Sequence, residues 1–302
     1  MTVCKTVEEI ISNNLIVEII KQIMKDIESD ILIYQNEAQF QLDLAFRIRQ
    51  QIDPTSGIEV LPEYFTMVDE FFKNTKSRLK KFYTDILIVD LNGNYIPIEL
   101  KYKKKGMIKI IRKNDIDITR IIGHDGAQDL GRFDYLWDIH RIEQLTQKEI
   151  KTFPNNISMV DEYMKGKDKF ICGYAVMITN DSAYWKKDKE SDGCADDMTL
   201  NKDIKEIRWK NTKKGMKCIT GDDSKSNRYY NCLMDDDDKV RKDVEVKYMP
   251  LKNNYAFYGE EKPIGENLSI IQSSNVDIIT IKNYKSSNKK SLEIKAFVAK
   301  IK

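Results

Sequence analysis

The stretch FYTDILIVDLNGNYIPIELKYKKKG, residues 82–106, decides how the rest of the chain is read. Two apolar runs flank Asn92-Gly93, a pair that tolerates the positive φ of a tight turn, so the segment reads as a β-hairpin. Ile86–Val89 and Ile96–Ile98 are apolar on both faces, which predicts central strands covered on each side. Charged side chains at the ends of such strands need a reason. Asp85 heads the first run, Glu99 and Lys101 close the second, and further lysines follow.

These residue types suit divalent-metal hydrolysis of a phosphodiester. Glu99 and Lys101 share one strand face because side chains alternate. Two carboxylates about 4 Å apart repel by roughly 4 kcal/mol at an effective dielectric near 20. Left bare, one would take up a proton; Mg²⁺ between them reverses the penalty and keeps waters for a phosphate to replace. Such a metal acidifies water, and Lys101 would orient that water or neutralise the scissile phosphate.

The register sets a condition. A two-residue Asn92-Gly93 turn in perfect register pairs Asp85 with Leu100 and points it away from Glu99, since a one-residue slip flips every side chain. For Asp85 to face Glu99, as the resemblance given below requires, an odd-numbered loop or a β-bulge, as at Pro97, is expected.

Glu-x-Lys occurs three times, at Glu99-Lys101, Glu245-Lys247 and Glu293-Lys295, the last with Asp277 upstream on an apolar run. Context favours the first. The second follows the acidic run DDDDK (235–239), which would repel a phosphodiester, and the third lies at the chain end, with nothing left to build the other half of a sheet.

Around the hairpin, TVEEIISNNLIVEIIKQIMKDI reads as one helix with Thr6 and Glu9 at capping-box spacing. NEAQFQLDLAFRIRQQI reads as a second, with Asn36 as N-cap. IEVLPEYFTM is a strand, DGAQDLGRFDYLWDIHRIEQLTQ a helix and FICGYAVMITND a buried strand, with a basic connector between hairpin and helix. The order is α–α–β–β–β–α–β, an α/β core over residues 1–185. The polar stretch 186–203 reads as a linker or long loop, and residues 186–302 as a β-rich extension for recognition or dimerisation.

Residues 36–185 resemble the PD-(D/E)xK, or restriction-endonuclease-like, nuclease superfamily. That resemblance implies an αβββαβ core with a mixed central sheet flanked by helices, with Asp85, Glu99 and Lys101 at the motif positions. It also implies a supporting Glu37 from the first helix of the core and Gln128 on the following helix. Thr84 stands where the motif usually has Pro. The implied activity is Mg²⁺-dependent cleavage of DNA in restriction or defence, with Mn²⁺ able to substitute and double-stranded DNA as partner. A homodimer would let one site per chain cut both strands. The alternative is a non-cleaving nucleic-acid-binding module on the same fold.

Lys80 and Lys81 precede the hairpin, and Lys103, Lys104 and Lys105 follow it. They put positive charge on both sides of the proposed site, where a phosphate backbone would run. Gln128 and Arg132, four apart, would share a helix face, there to hold phosphate or water, or to make ordinary helix-surface hydrogen bonds. His124 lies in the loop near the site, and His140 sits among Trp137, Ile139 and Ile142 as a packed or surface residue. Trp185, Trp209 and Tyr229-Tyr230 read as core aromatics.

The 302 residues carry a net charge of only +2, with 41% hydrophobic and 32% charged residues, so a nucleic-acid surface must come from local clustering. Five cysteines without a C-x-x-C pair read as reduced thiols. With no signal-peptide core and no apolar run of about 18 residues, the chain reads as cytoplasmic with no membrane partner.

Overall fold

The structure, a computed structural model, describes residues 3–66, 82–113, 116–126, 128–146, 169–186, 200, 203–212, 215–220, 245–285 and 291–302. The N-terminal helical pattern divides in two. α1 (Val7–Ser12) starts where the Thr6 side chain accepts from the Glu9 amide, and α2 (Leu15–Glu28) begins after Asn14, whose φ of 53° breaks the helix. Asparagine is among the residues that visit this left-handed region most readily, so Asn13-Asn14 ends one helix and starts another. α3 (Glu37–Gln50) starts at Asn36, whose side chain accepts from the Gln39 amide at 2.9 Å. The strands of the hairpin come next, preceded by β1 (Glu59–Thr66): β2 (Phe82–Val89) and β3 (Asn94–Lys103).

The stretch expected as a basic connector instead contains a separate hairpin, β4 (Met107–Lys113) and β5 (Ile116–Ile122). α4 (Gln128–Thr146), β6 (Lys169–Phe170), β7 (Gly173–Thr179) and a single 3-10 turn at Ser182–Tyr184 follow. The remaining described elements are strands: β8 (Asp203–Thr212), β9 (Gly215–Thr220), β10 (Glu245–Ala256), β11 (Lys262–Pro263), β12 (Leu268–Gln272), β13 (Val276–Lys285) and β14 (Ser291–Ile301).

The fold is mixed α/β, built on a mostly antiparallel sheet in the order β1-β2-β3-β7-β14-β13-β12-β11, with β6 beside β3. Among the described strands, the β3–β7 and β3–β6 pairs are the parallel ones. α1, α2 and α3 bury Ile10, Ile16, Ile20, Phe40 and Leu44 on one face, against Ile98, Leu100, Val176 and Val298. α4 covers the other face, where Tyr135, Leu136 and Ile139 meet Ala175, Met177 and Phe297. All seven residues of β7 are buried, as a strand covered on both sides requires.

Two expectations about the C-terminal region change. β11–β14 are not appended beyond a completed core, because they extend the same sheet, with β14 antiparallel to β7 in the register Lys295 to Thr179. The chain end therefore occupies the middle of the sheet. β8, β9 and β10 form a three-stranded sheet of their own, in the order β10-β8-β9.

Candidate active site at the fork between two strands

The hairpin loop is odd-numbered. Asp90 pairs with Asn94, leaving Leu91, Asn92 and Gly93 in the loop, and Gly93 takes a φ of 74°. Asp90 organises the turn: its Oδ1 accepts from the Asn92 and Asn94 amides at 2.8 and 3.0 Å. The turn is therefore not the two-residue Asn92-Gly93 type. Pro97 pairs in register with Leu87, so no bulge is needed there. The last β2–β3 pair is Ile86 with Ile98. One step further along this register, Asp85 and Glu99 lie on the same side of the sheet, with Lys101 two residues on.

Beyond Ile86 the two strands separate, and carboxylates occupy the opening. Asp85 Oδ2 accepts from the Leu100 amide at 2.6 Å, and Glu37 Oε2, from the first turn of α3, accepts from the Tyr102 amide at 2.8 Å. These are β3 amides that a continued β2 ladder would have engaged. The sheet opens, and two acids are held at its edge by charge-assisted hydrogen bonds.

Glu99 is 3% exposed, and its Oε1 is buried with no hydrogen-bond partner. α4 brings Asp138 and Arg141 against it. Lys101 Nζ lies 2.8 Å from Asp138 Oδ2 and donates to the Leu100 carbonyl at 3.0 Å. Arg141 Nη1 lies 3.2 Å from Asp138 Oδ1 and 3.9 Å from Glu99 Oε2.

Burial pushes the Asp85 carboxyl up to about 7; Asp138 and Glu37 add to the rise, while Lys101 and the Leu100 amide oppose it. Burial also holds Glu99 well above the usual carboxylate range, reinforced by Asp138 and Asp85 against Arg141 and Lys101. Asp134, one turn before Asp138, is raised by burial and then by Asp138. Burial alone would lower Lys101, but Asp138 and Glu37 outweigh it and keep the ammonium charged.

Among the described residues, no group of three or more His, Cys, Asp or Glu side chains is gathered to hold a metal ion. The chemistry of the smaller set nonetheless fits a hard divalent cation. Asp85 and Glu99 offer oxygens, burial and neighbouring acids raise both carboxyls, and Glu99 Oε1 has no hydrogen-bond partner. Mg²⁺ is commonly bound by one or two carboxylates, with water and phosphate completing the shell.

The other expected residues are distributed unevenly. Gln128 opens α4, but its side chain lies outside the described residues, as do Lys80 and Lys81. Lys103 borders a crevice with Tyr34, Tyr102 and Asn180. Lys104 turns inward, donating to the Gln35 carbonyl at 2.8 Å, whereas Lys105 is exposed. Arg132 is buried, donates to the Ala183 carbonyl and lies over the Tyr184 ring. His124 is exposed. His140 packs on Trp137, and burial pushes it down to about 4. Trp185 packs against Phe297, while the Trp209 side chain and Tyr229-Tyr230 lie outside the described residues.

The third Glu-x-Lys is not joined by its upstream acid, for a reason other than the one expected. It lies in the middle of the sheet, but Asp277 is on the other face. Asp277 is opposite Val298 on the α2 side, whereas Lys295 lies over the Trp185 ring on the α4 side. Glu293 and Lys295 pair with each other at 3.1 Å. The second, Glu245-Lys247, is on β10 in the smaller sheet, and its side chains lie outside the described residues.

Sequence reasoning missed Asp138, Arg141 and Gln41. The only signal for the first two was polar residues at helical spacing inside an otherwise buried helix. Gln41 offered none beyond standing one turn after Glu37. Comparison of the chain with family models, with curated proteins and with solved structures yields no match.

Proposed function

We propose that the chain hydrolyses phosphodiester bonds in DNA with a divalent metal, as a restriction- or defence-type endonuclease. In this reading α3, β1–β3, α4 and β7 form a restriction-endonuclease-like core. The observation that carries it is the open β2–β3 fork, where Asp85, Glu99 and Lys101 converge and a buried Glu99 oxygen has no partner. Mg²⁺, or Mn²⁺ in its place, held by Asp85 and Glu99 would acidify a water and offset the charge that builds on the phosphoryl oxygens. Lys101, paired with Asp138 at 2.8 Å, would orient the water or neutralise the scissile phosphate. Glu37 fixes the end of β3 through the Tyr102 amide. Lys103 and Lys105 extend the positive charge along the path of the backbone, and two copies of the chain would supply one site for each DNA strand.

A second reading, a non-cleaving nucleic-acid-binding module, has one observation in its favour. Lys101 is engaged by Asp138 and Asp85 by the Leu100 amide, so the site also satisfies much of its charge internally. The deciding experiment incubates plasmid and linear DNA with Mg²⁺ or Mn²⁺ and wild type, Glu99→Gln or Lys101→Met. Cleavage by wild type alone supports the nuclease. Cleavage that survives Glu99→Gln overturns the site, and retained DNA binding without cleavage by any version favours the second reading.

A further inference from the structure

Gln41 stands at the one place where β2 leaves both of its neighbours. The β1–β2 ladder pairs Pro62 with Ile86 and Tyr64 with Thr84 but skips Glu63 and Asp85, and the β2–β3 ladder stops at Ile86. Asp85 therefore lacks regular ladder pairing on either side. Its carbonyl is taken instead by Gln41 Nε2 of α3 at 2.6 Å, and the same amide nitrogen lies 3.0 Å from Glu63 Oε1. Gln41 is 6% exposed, and Glu63 has a φ of 52° although it is not glycine. Such backbone strain persists only where the surroundings enforce it. Gln41 also follows Glu37 by four residues, so one face of α3 serves both edges of the fork.

The geometry points to Gln41 as a positioning residue, which together with Glu63 holds the β2 backbone out of the sheet so that Asp85 reaches across to the Leu100 amide. The inference rests on the nuclease reading for its purpose and not for its geometry. A side-chain amide suits the task because it donates to a backbone carbonyl without adding a charge beside Asp85 and Glu99. A leucine or methionine would fill the space but leave the Asp85 carbonyl without its donor, or let β1 re-form the missing pair and draw Asp85 back into the ladder.

The test uses the full chain with Gln41→Met, and with Asp85→Asn as a control. It reads backbone amide exchange together with Ca²⁺ binding by calorimetry. If Gln41 positions Asp85, the Leu100 amide exchanges about tenfold faster in Gln41→Met, as loss of a hydrogen bond to a charged group predicts, while the β7 amides keep their protection. Ca²⁺ affinity falls by about 10–100-fold with it, the usual scale for a lost supporting contact. Unchanged Leu100 exchange, or exchange that rises equally across β7, overturns the inference. Should Gln41→Met not fold, Gln41→Glu at pH 8 keeps the volume and offers the Asp85 carbonyl an acceptor in place of a donor, with the same expected readout. Wild type that binds no Ca²⁺ and cleaves nothing refutes the nuclease reading, while Leu100 exchange still decides the role of Gln41.

Discussion

Replacing Asp85 with Asn should make the protein more stable at pH 8. The carboxyl is raised from 3.8 to about 7, first by burial and then by Asp138 and Glu37. A raised carboxyl favours the protonated form, so its contribution to stability is fully present below about pH 4 and lost as pH rises through about 7. Wild type therefore carries the whole penalty at pH 8. A rise from 3.8 to about 7, at about 1.4 kcal/mol per unit, is about 4 kcal/mol. Asp85 is not fully buried, so solvent screening reduces this to about 2–3 kcal/mol. Asn keeps an oxygen for the Leu100 amide and replaces the other carboxylate oxygen with a neutral NH₂, so the charge is removed. At about 2 °C per kcal/mol for a chain of this size, Asp85→Asn should melt about 4–6 °C higher at pH 8, without divalent metal. The gain should shrink toward zero by pH 4. Thermal melts of both proteins across that range make the measurement. An equal gain at pH 4 and pH 8, or a loss at pH 8, would refute the argument that burial and neighbouring acids hold Asp85 against its own charge.

Other perturbations test the site and the frame around it. Ca²⁺ at 100 times its dissociation constant should stabilise wild type by about 2.7 kcal/mol and leave Glu99→Gln unmoved, read as a melting shift; equal shifts would place the ion elsewhere. Glu143→Ala should cost about 3–5 kcal/mol in urea unfolding, because this fully buried carboxylate accepts from the Lys252 and Asn253 amides and the Tyr255 hydroxyl at 2.8, 2.9 and 2.7 Å. A cost under about 1 kcal/mol would mean that β10 does not depend on this anchor. Gly173→Ala should cost about 1–3 kcal/mol, since the new Cβ would run into the Ile142 side chain and approach Pro97 Cγ at 3.2 Å. Denaturant midpoints that match wild type would show that α4 can shift to make room.

Local chemistry made much of this molecule legible. Thr6 and Asn36 cap the helices they were read to cap, because a cap needs only a side-chain oxygen a few residues from an amide. The buried runs of β2, β3 and β7 follow from uninterrupted apolar sequence, and the odd loop followed from the two-residue period of a strand once Asp85 and Glu99 were required to share a face. The identity of that loop did not, because Asp90 closes it through its side chain and Gly93 occupies a different position in the turn. β14 beside β7 was out of reach, since that pairing joins segments more than a hundred residues apart and leaves no local trace. The same holds at the site. The sequence by itself determined that Asp85, Glu99 and Lys101 stand at the ends of two apolar runs. Only the tertiary structure decided that Asp138, Arg141 and Gln41 meet them, and that Asp277 faces away from Glu293 and Lys295. The physical reason is that alternation along a strand assigns each side chain to one of two faces, whereas what waits on each face depends on which helix is packed there.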